Sequence, residues 1–190
     1  MSPRSKEQFS AIRNEKENLI MQTALRLFAS KGFETTSVSF IAKEAGISKG
    51  LMYNYYESKD DLLKKILIDG MNDFIQTLII KDPDHIQKSE LEYFIAQNFL
   101  LLTTKPNYYL LYFSLVLQPK IMALVEEEMM AILGSFIKAF VNYFEQKGEK
   151  NPYVKARYML AVFDGVGMHY LSDINNFPLE EVEKMIIDQL

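Results

Sequence analysis

Residues 45–63 read AGISKGLMYNYYESKDDLL. Two glycines bracket an Ile-Ser-Lys step, and three tyrosines fall within four positions. Ser48 is a residue type suited to a helix N-cap, where its hydroxyl accepts from the free N–H groups of the first turn. Ile47 and Met52 then stand at the N′ and N4 positions of a hydrophobic staple. At about 100° per residue, Met52 and Tyr56 share the inward face. Gly50 and Asn54 share the opposite one. Lys49 sits in the first turn, and Tyr53, Leu51 and Tyr55 occupy the flanks.

The neighbouring residues extend this pattern. Val38, Ile41, Ala42 and Ala45 mark a short preceding helix, with Thr36 or Ser37 as its N-cap and Gly46 at its end. Ser58 opens the following helix. Asp61 lies three residues on, in the manner of a capping box, and Asp60 favours the first-turn dipole. Two short helices joined by AGIS have the size of a helix-turn-helix. An eight-residue second helix would be about 12 Å long, comparable with the width of a DNA major groove. Its outward ridge is bare at Gly50, flanked by the phenols of Tyr53 and Tyr55 and the cations of Lys49 and Lys59. The same spacing also serves a helix-turn-helix that meets only protein, with the tyrosines as wet-edged packing residues. Spacing alone leaves both readings open.

Helical periodicity continues through the rest of the chain. A first helix spans roughly Phe9 to Ser30, with Ile20, Ala24, Leu27 and Phe28 on one stripe, and Gly32 is placed to end it. Leu63, Ile66, Leu67, Phe74, Ile75 and Leu78 form the inner stripe of the helix begun at Ser58. After the linker KDPDHIQKSE, helices are expected near 87–104, 107–117, 119–147, 152–173 and 179–190. Pro106, Pro119, Pro152 and Pro178 sit at or beside their starts, where proline is tolerated. No alternating strand pattern is present. The fold class is all-α, with about nine helices.

Composition narrows the function. The 190 residues are 48% hydrophobic, enough for a sizeable core. There is no cysteine, which excludes thiolate metal sites and a cysteine nucleophile. The polar N-terminus carries no apolar signal core, and no apolar run reaches bilayer length. The cytoplasm is therefore the expected location. Net charge is −4, but residues 1–65 hold 11 Lys and Arg against 8 Asp and Glu, a net +3. A basic head on an acidic remainder points to an anionic partner for the head only.

Residues 24–63, ALRLFASKGFETTSVSFIAKEAGISKGLMYNYYESKDDLL, resemble the DNA-binding head of TetR-family transcriptional regulators. The matching features are LFASKGF, the Thr-Thr-Ser entry, IAKEAGISKG, and the Tyr-x-Tyr-aromatic run followed by Ser-Lys and Leu-Leu. The resemblance covers about the first third of the chain. It implies a head over 1–60 with three helices, followed by an effector-binding and dimerisation body over 61–190. It further implies a homodimer on a palindromic, double-stranded operator. Lys49, Gly50, Leu51 and Asn54 would face base edges. Tyr53, Tyr55 and Lys59, with Thr36, Ser37 and Ser48, would hold phosphates. Leu51 stands where the family often has a small or polar residue, and Tyr56 replaces a commoner Phe. Arg4, Lys6, Arg13 and Lys16 suggest either an arm over DNA or a solvated tail.

The resemblance also implies an effector pocket among the aromatics of the body, although periodicity by itself makes most of them core. The pocket candidates are Phe99, Tyr109, Phe113, Phe136, Phe140, Phe163 and His169. Asp164, beside two glycines, resembles a common element of the family's penultimate helix. That helix is apolar on several sides, so it and the last helix are expected to form the dimer interface through Val162, Val166, Val182, Met185 and Ile186. No metal-ligand spacing, phosphate loop or nucleophile–base pair appears. No cofactor, metal or catalytic residue is therefore expected. The reading is a ligand-responsive regulator, in the sense of a repressor released by a small, largely apolar effector. Its rival is an all-helical small-molecule carrier or protein-interaction module that binds no DNA.

Overall fold

The computed structural model describes residues 6–115 and 117–190. Among these residues nine helices and no strand occur: α1 Lys6–Lys31, α2 Val38–Glu44, α3 Lys49–Tyr53, α4 Lys59–Ile75, α5 Lys88–Thr104, α6 Pro106–Leu115, α7 Pro119–Gln146, α8 Pro152–Ser172 and α9 Leu179–Ile187. Among the described residues no single helix is long and apolar enough to cross a membrane. The chain divides into two compact units between Leu67 and Ile68, a point inside α4.

In the first unit, the caps expected from sequence set the helix starts. Phe40 N–H donates to Ser37 Oγ at 3.1 Å, and Leu51 N–H donates to Ser48 Oγ at 3.1 Å. Each bond satisfies one of the orphan donors of a first turn. Gly46, at φ 65°, makes the left-handed step between α2 and α3 that a side chain resists. Asp61 N–H donates to Ser58 Oγ, while the Asp61 carboxylate accepts from Glu57 N–H. Ile20, Ala24, Leu27 and Phe28 from α1 meet Ile41 and Ala42 from α2, Met52 from α3, and Leu62 and Leu63 in a fully buried core. Phe28 and Phe33 pack edge to face with centroids 5.1 Å apart.

The second unit is organised around aromatic rings. Phe94 of α5 is fully buried, with Phe74, Phe136, Phe140 and Phe163 all within 6.1 Å, centroid to centroid. Phe136 and Phe140 stack at 4.5 Å along α7. Each such pair contributes about 0.5–1.5 kcal/mol beyond the area it buries. Tyr143 donates its hydroxyl to Leu190 O at 2.9 Å, fixing the turn after α9 against α7. Pro106, Pro119 and Pro152 begin their helices, where the missing N–H costs nothing. α7 is bent at Val125, a buried residue with non-helical backbone angles. At Gly70 an added Cβ would fall 1.8 Å from a ring carbon of Tyr108, so this glycine lets α6 lie directly on the C-terminal part of α4.

Candidate DNA-contact face and body cavity

The face offered by α3 is built by its two anchors. Met52 and Tyr56 are buried, which turns Lys49, Gly50, Tyr53 and Asn54 outward, all exposed. An added Cβ at Gly50 meets nothing within 4 Å, so packing within the chain does not require glycine here. Lys49 Nζ lies 5.9 Å from the centre of the Tyr53 ring. Leu51 and Tyr55 are half-buried on the flanks, with the Arg13 guanidinium 5.6 Å from the centre of the Tyr55 ring. Ser37 and Ser48 are exposed beside their caps.

Three observations differ from the sequence expectation. The helix has five residues rather than eight, about 7.5 Å of rise, because the chain must turn before the Ser58 cap. Asn54 is consequently a C-cap, and Tyr55 and Tyr56 close the last turn through bonds to Met52 O. Thr36 is 1% exposed, and its hydroxyl donates to Gly32 O at 2.8 Å. Its side chain braces the α1–α2 turn and does not reach the surface. Lys59 is likewise engaged. Its ammonium donates to Phe33 O at 2.8 Å and lies 4.1 Å from the centre of the Phe33 ring. The expected arm falls partly outside the described residues, since nothing is described of Arg4 or of the Lys6 side chain, while Arg13 and Lys16 lie in α1.

The second unit encloses a cavity of about 370 Å³. Met71 and Phe74 of α4, with Asn98, Phe99 and Leu102 of α5, form one wall. Tyr108, Tyr109, Tyr112 and Phe113 of α6 form another, and residues of α7 including Met129, Leu133 and Phe136 a third. Arg157, Phe163, Asp164, Val166 and Gly167 of α8 complete it. Burial pushes the phenol of Tyr112 up to about 12, with the Asp164 carboxylate adding to the effect. Burial also raises Tyr108 and Tyr109 well above the ordinary phenol range. Burial alone raises the Asp164 carboxyl above its ordinary value. Asp73 is ion-paired with Lys105. Among the described residues no group of three His, Asp or Glu side chains is arranged to hold a metal ion.

Residues 20–66 match the model of the family "Bacterial regulatory proteins, tetR family". The match covers about a quarter of the chain and lies within its first unit. An uncharacterised HTH-type transcriptional regulator of Bacillus subtilis, YuxN, is 58% identical over 53 residues, which is 28% of this chain and 18% of that protein. The matched stretches cover less than half the length of each of the first curated relatives. Each of these relatives is named as a regulator. Among solved structures, the fatty acid degradation regulator FadR of Bacillus halodurans superposes with a TM-score of 0.73 at 18% identity, covering 98% of this chain and 95% of that one. A transcriptional regulator of Saccharomonospora viridis in complex with choline superposes at 0.68 and 20% identity, covering 92% and 95%. At these identities the likeness is one of fold.

In the second unit, the sequence candidates divide. Phe99, Tyr109, Phe113, Phe136 and Phe163 line the cavity. Phe140 does not, because it is fully buried in the ring cluster. His169 does not either, because it is exposed on α8. Of the interface candidates, Met185 is 64% exposed. Ile186 is 2% exposed and belongs to the core of the second unit. Val162, Val166 and Val182 are half-buried against that core, and Val166 lines the cavity. The apolar side chains that α8 exposes are instead Tyr153, Val154, Tyr158 and Met168. Val154, Tyr158, Ala161, Gly165 and Met168 recur every three or four residues, a stripe visible in the sequence once the inward face is known. Asn98, Tyr108, Tyr112 and Arg157 were not singled out as cavity residues, since nothing in periodicity separates a cavity wall from a core.

Proposed function

We propose that this chain is a ligand-responsive transcriptional regulator, acting as a repressor that binds a palindromic operator as a homodimer. The match of residues 20–66 to the TetR family carries this reading. The uncovered edge of α3 supports it, with Gly50 and Asn54 between Lys49 and Tyr53. Lys49, Gly50, Leu51 and Asn54 meet bases, Leu51 through apolar contact only. Tyr53, Tyr55, Ser37, Ser48 and Lys59 meet phosphates. Lys59 does so while tied to Phe33 O, which holds it at the start of α4. Thr36 acts through the turn it braces.

Two copies would set their α3 helices about 34–36 Å apart, or a multiple of one duplex turn. The exposed stripe of α8, with Met185 of α9, is the surface proposed for pairing. Tyr158→Glu combined with Met168→Glu is expected to give a monomer at micromolar concentration by light scattering; a dimer would move the interface elsewhere. A small molecule in the body cavity favours the conformation with lower DNA affinity and so releases the operator.

DNA selected from random duplexes tests the head. Its affinity is expected to fall steeply with salt, and Lys59→Ala is expected to reduce the log–log slope by about 1. An affinity indifferent to salt would remove the DNA-binding reading.

A further inference from the structure

The polar groups of the cavity are unevenly supplied. Asn98 is 7% exposed and lines the wall. Its amide nitrogen donates to Thr77 Oγ1 at 2.9 Å and to Phe94 O at 2.8 Å. Two acceptors on that side fix the amide orientation, since the carbonyl oxygen can donate to neither. The carbonyl oxygen Oδ1 is therefore a buried acceptor, and no described donor reaches it. Leaving such a group unsatisfied costs about 1–3 kcal/mol. Asp164 lines the same cavity from α8, and among the described residues no hydrogen bond or ion pair holds its carboxylate. The other charged residue lining the cavity is Arg157, exposed and two helical turns earlier on α8, while Asp73, near Tyr108 and Tyr109, is ion-paired with Lys105. Facing it from α6 are Tyr109 and Tyr112, half-buried phenols beside the buried Tyr108. The cavity wall thus holds two idle acceptors, one of them ionisable, beside several electron-rich rings, and its one cationic lining residue, Arg157, is exposed.

We infer that the cavity takes an organic cation with an apolar tail, an alkyl- or aralkylammonium. Its N–H groups donate to the Asp164 carboxylate and Asn98 Oδ1 beside the Tyr109 and Tyr112 rings, and its tail lies against Phe99 and Phe136. The inference rests on the ligand-responsive reading and names the class of its effector. About 370 Å³ accommodates about a dozen non-hydrogen atoms at roughly 30 Å³ each. The tyrosines add attraction to a cation over their faces, and the apolar walls supply most of the burial. A carboxylate in the same position would lie beside Asp164 and Asn98 Oδ1, two helical turns from Arg157, the one cation among the lining residues and an exposed one.

Three ligands of one chain length separate the head groups: decylamine, protonated near neutral pH, 1-decanol and decanoate. Calorimetric titration of the full chain is expected to show decylamine binding at least about tenfold tighter than 1-decanol, with decanoate weakest. Asp164→Asn is expected to lower decylamine affinity at least about tenfold and to change 1-decanol by no more than about twofold, which also reports that the cavity is intact. Asp164→Glu is expected to keep the amine preference. Equal binding of amine and alcohol, a preference for decanoate, binding of none of the three, or an Asp164→Asn variant with unchanged selectivity would each overturn the inference. A chain that binds selected DNA but shows no amine preference overturns it alone. Amine selectivity in a chain that binds no DNA overturns the regulator reading instead.

Discussion

The two units of this protein are specified differently. In the head, local hydrogen bonds fix each element: Ser37 caps α2, Ser48 caps α3, Ser58 caps α4, and Gly46 supplies the one left-handed step between the short helices. In the body, α7, α8 and α9 start without a side-chain cap bond, α5 is fastened by Gln87 N–H donating to Glu90 Oε2, and three helices begin on proline. There the specification is ring against ring around Phe94. A unit written in short-range signals can be recognised from one sequence. A unit written in long-range packing shows its helices but conceals what they enclose.

The largest test of that contrast is a core deletion in the body. Phe94→Ala removes the ring at the centre of the aromatic cluster and is expected to cost about 3–5 kcal/mol in urea unfolding. A loss below about 1 kcal/mol would mean that the cluster does not organise the body. Lys59→Met probes the head at a smaller scale. It removes a charged donor from Phe33 O and a cation from the face of the Phe33 ring, and is expected to cost about 1–2 kcal/mol. It is therefore a poor reporter of phosphate contact by itself, and weakened DNA binding in this variant needs the stability measurement beside it.

Gly50→Ala separates folding from recognition within the head. The free chain has room for the methyl group, and alanine is the better helix former, so stability is expected to rise by up to about 1 kcal/mol. DNA affinity is expected to fall about tenfold or more, because the methyl group stands on the ridge that approaches the base edges. Parallel changes in both quantities would assign Gly50 to the fold and not to the interface.

These residues also mark how far the sequence could be read. Met52, Tyr56, Gly50 and Asn54 lie on the faces that a 100° step assigns them, because a staple and an N-cap fix the phase of even a very short helix. Thr36 misled because a Thr-Thr-Ser run offers three hydroxyls at a helix entry, and only packing decides that the middle one turns inward. The body helices were found to within a residue or two at most ends, with prolines as markers. Ile186 and Met185 are adjacent and equally apolar, yet one is core and the other exposed. A helix apolar on several sides gives no internal clue to which face meets its own subunit. Asp164 was noticeable as a carboxylate beside two glycines in an apolar helix, whereas the idle oxygen of Asn98 depends on Thr77, 21 positions away.

The smallest expected effect is the pH dependence carried by Asp164. Burial raises its carboxyl above the ordinary value of 3.8 that holds in the unfolded chain. Between those two values the folded state keeps a proton that the unfolded state has released. Rising pH through that window therefore removes stability, and the loss is complete above the raised value. Tyr112, pushed up to about 12, stays neutral throughout and leaves the slope to the carboxyl. Asp164→Asn deletes the titration, so its melting temperature is expected to exceed that of the parent chain by more at about pH 8 than at about pH 4. A difference that stays constant across this range would mean that the carboxylate is solvated or paired in the folded protein. That outcome would also take away the idle charge to which an ammonium group is proposed to bind. A difference that grows with pH in the free chain and shrinks when decylamine is present would tie the cost of burying Asp164 to the ligand that relieves it.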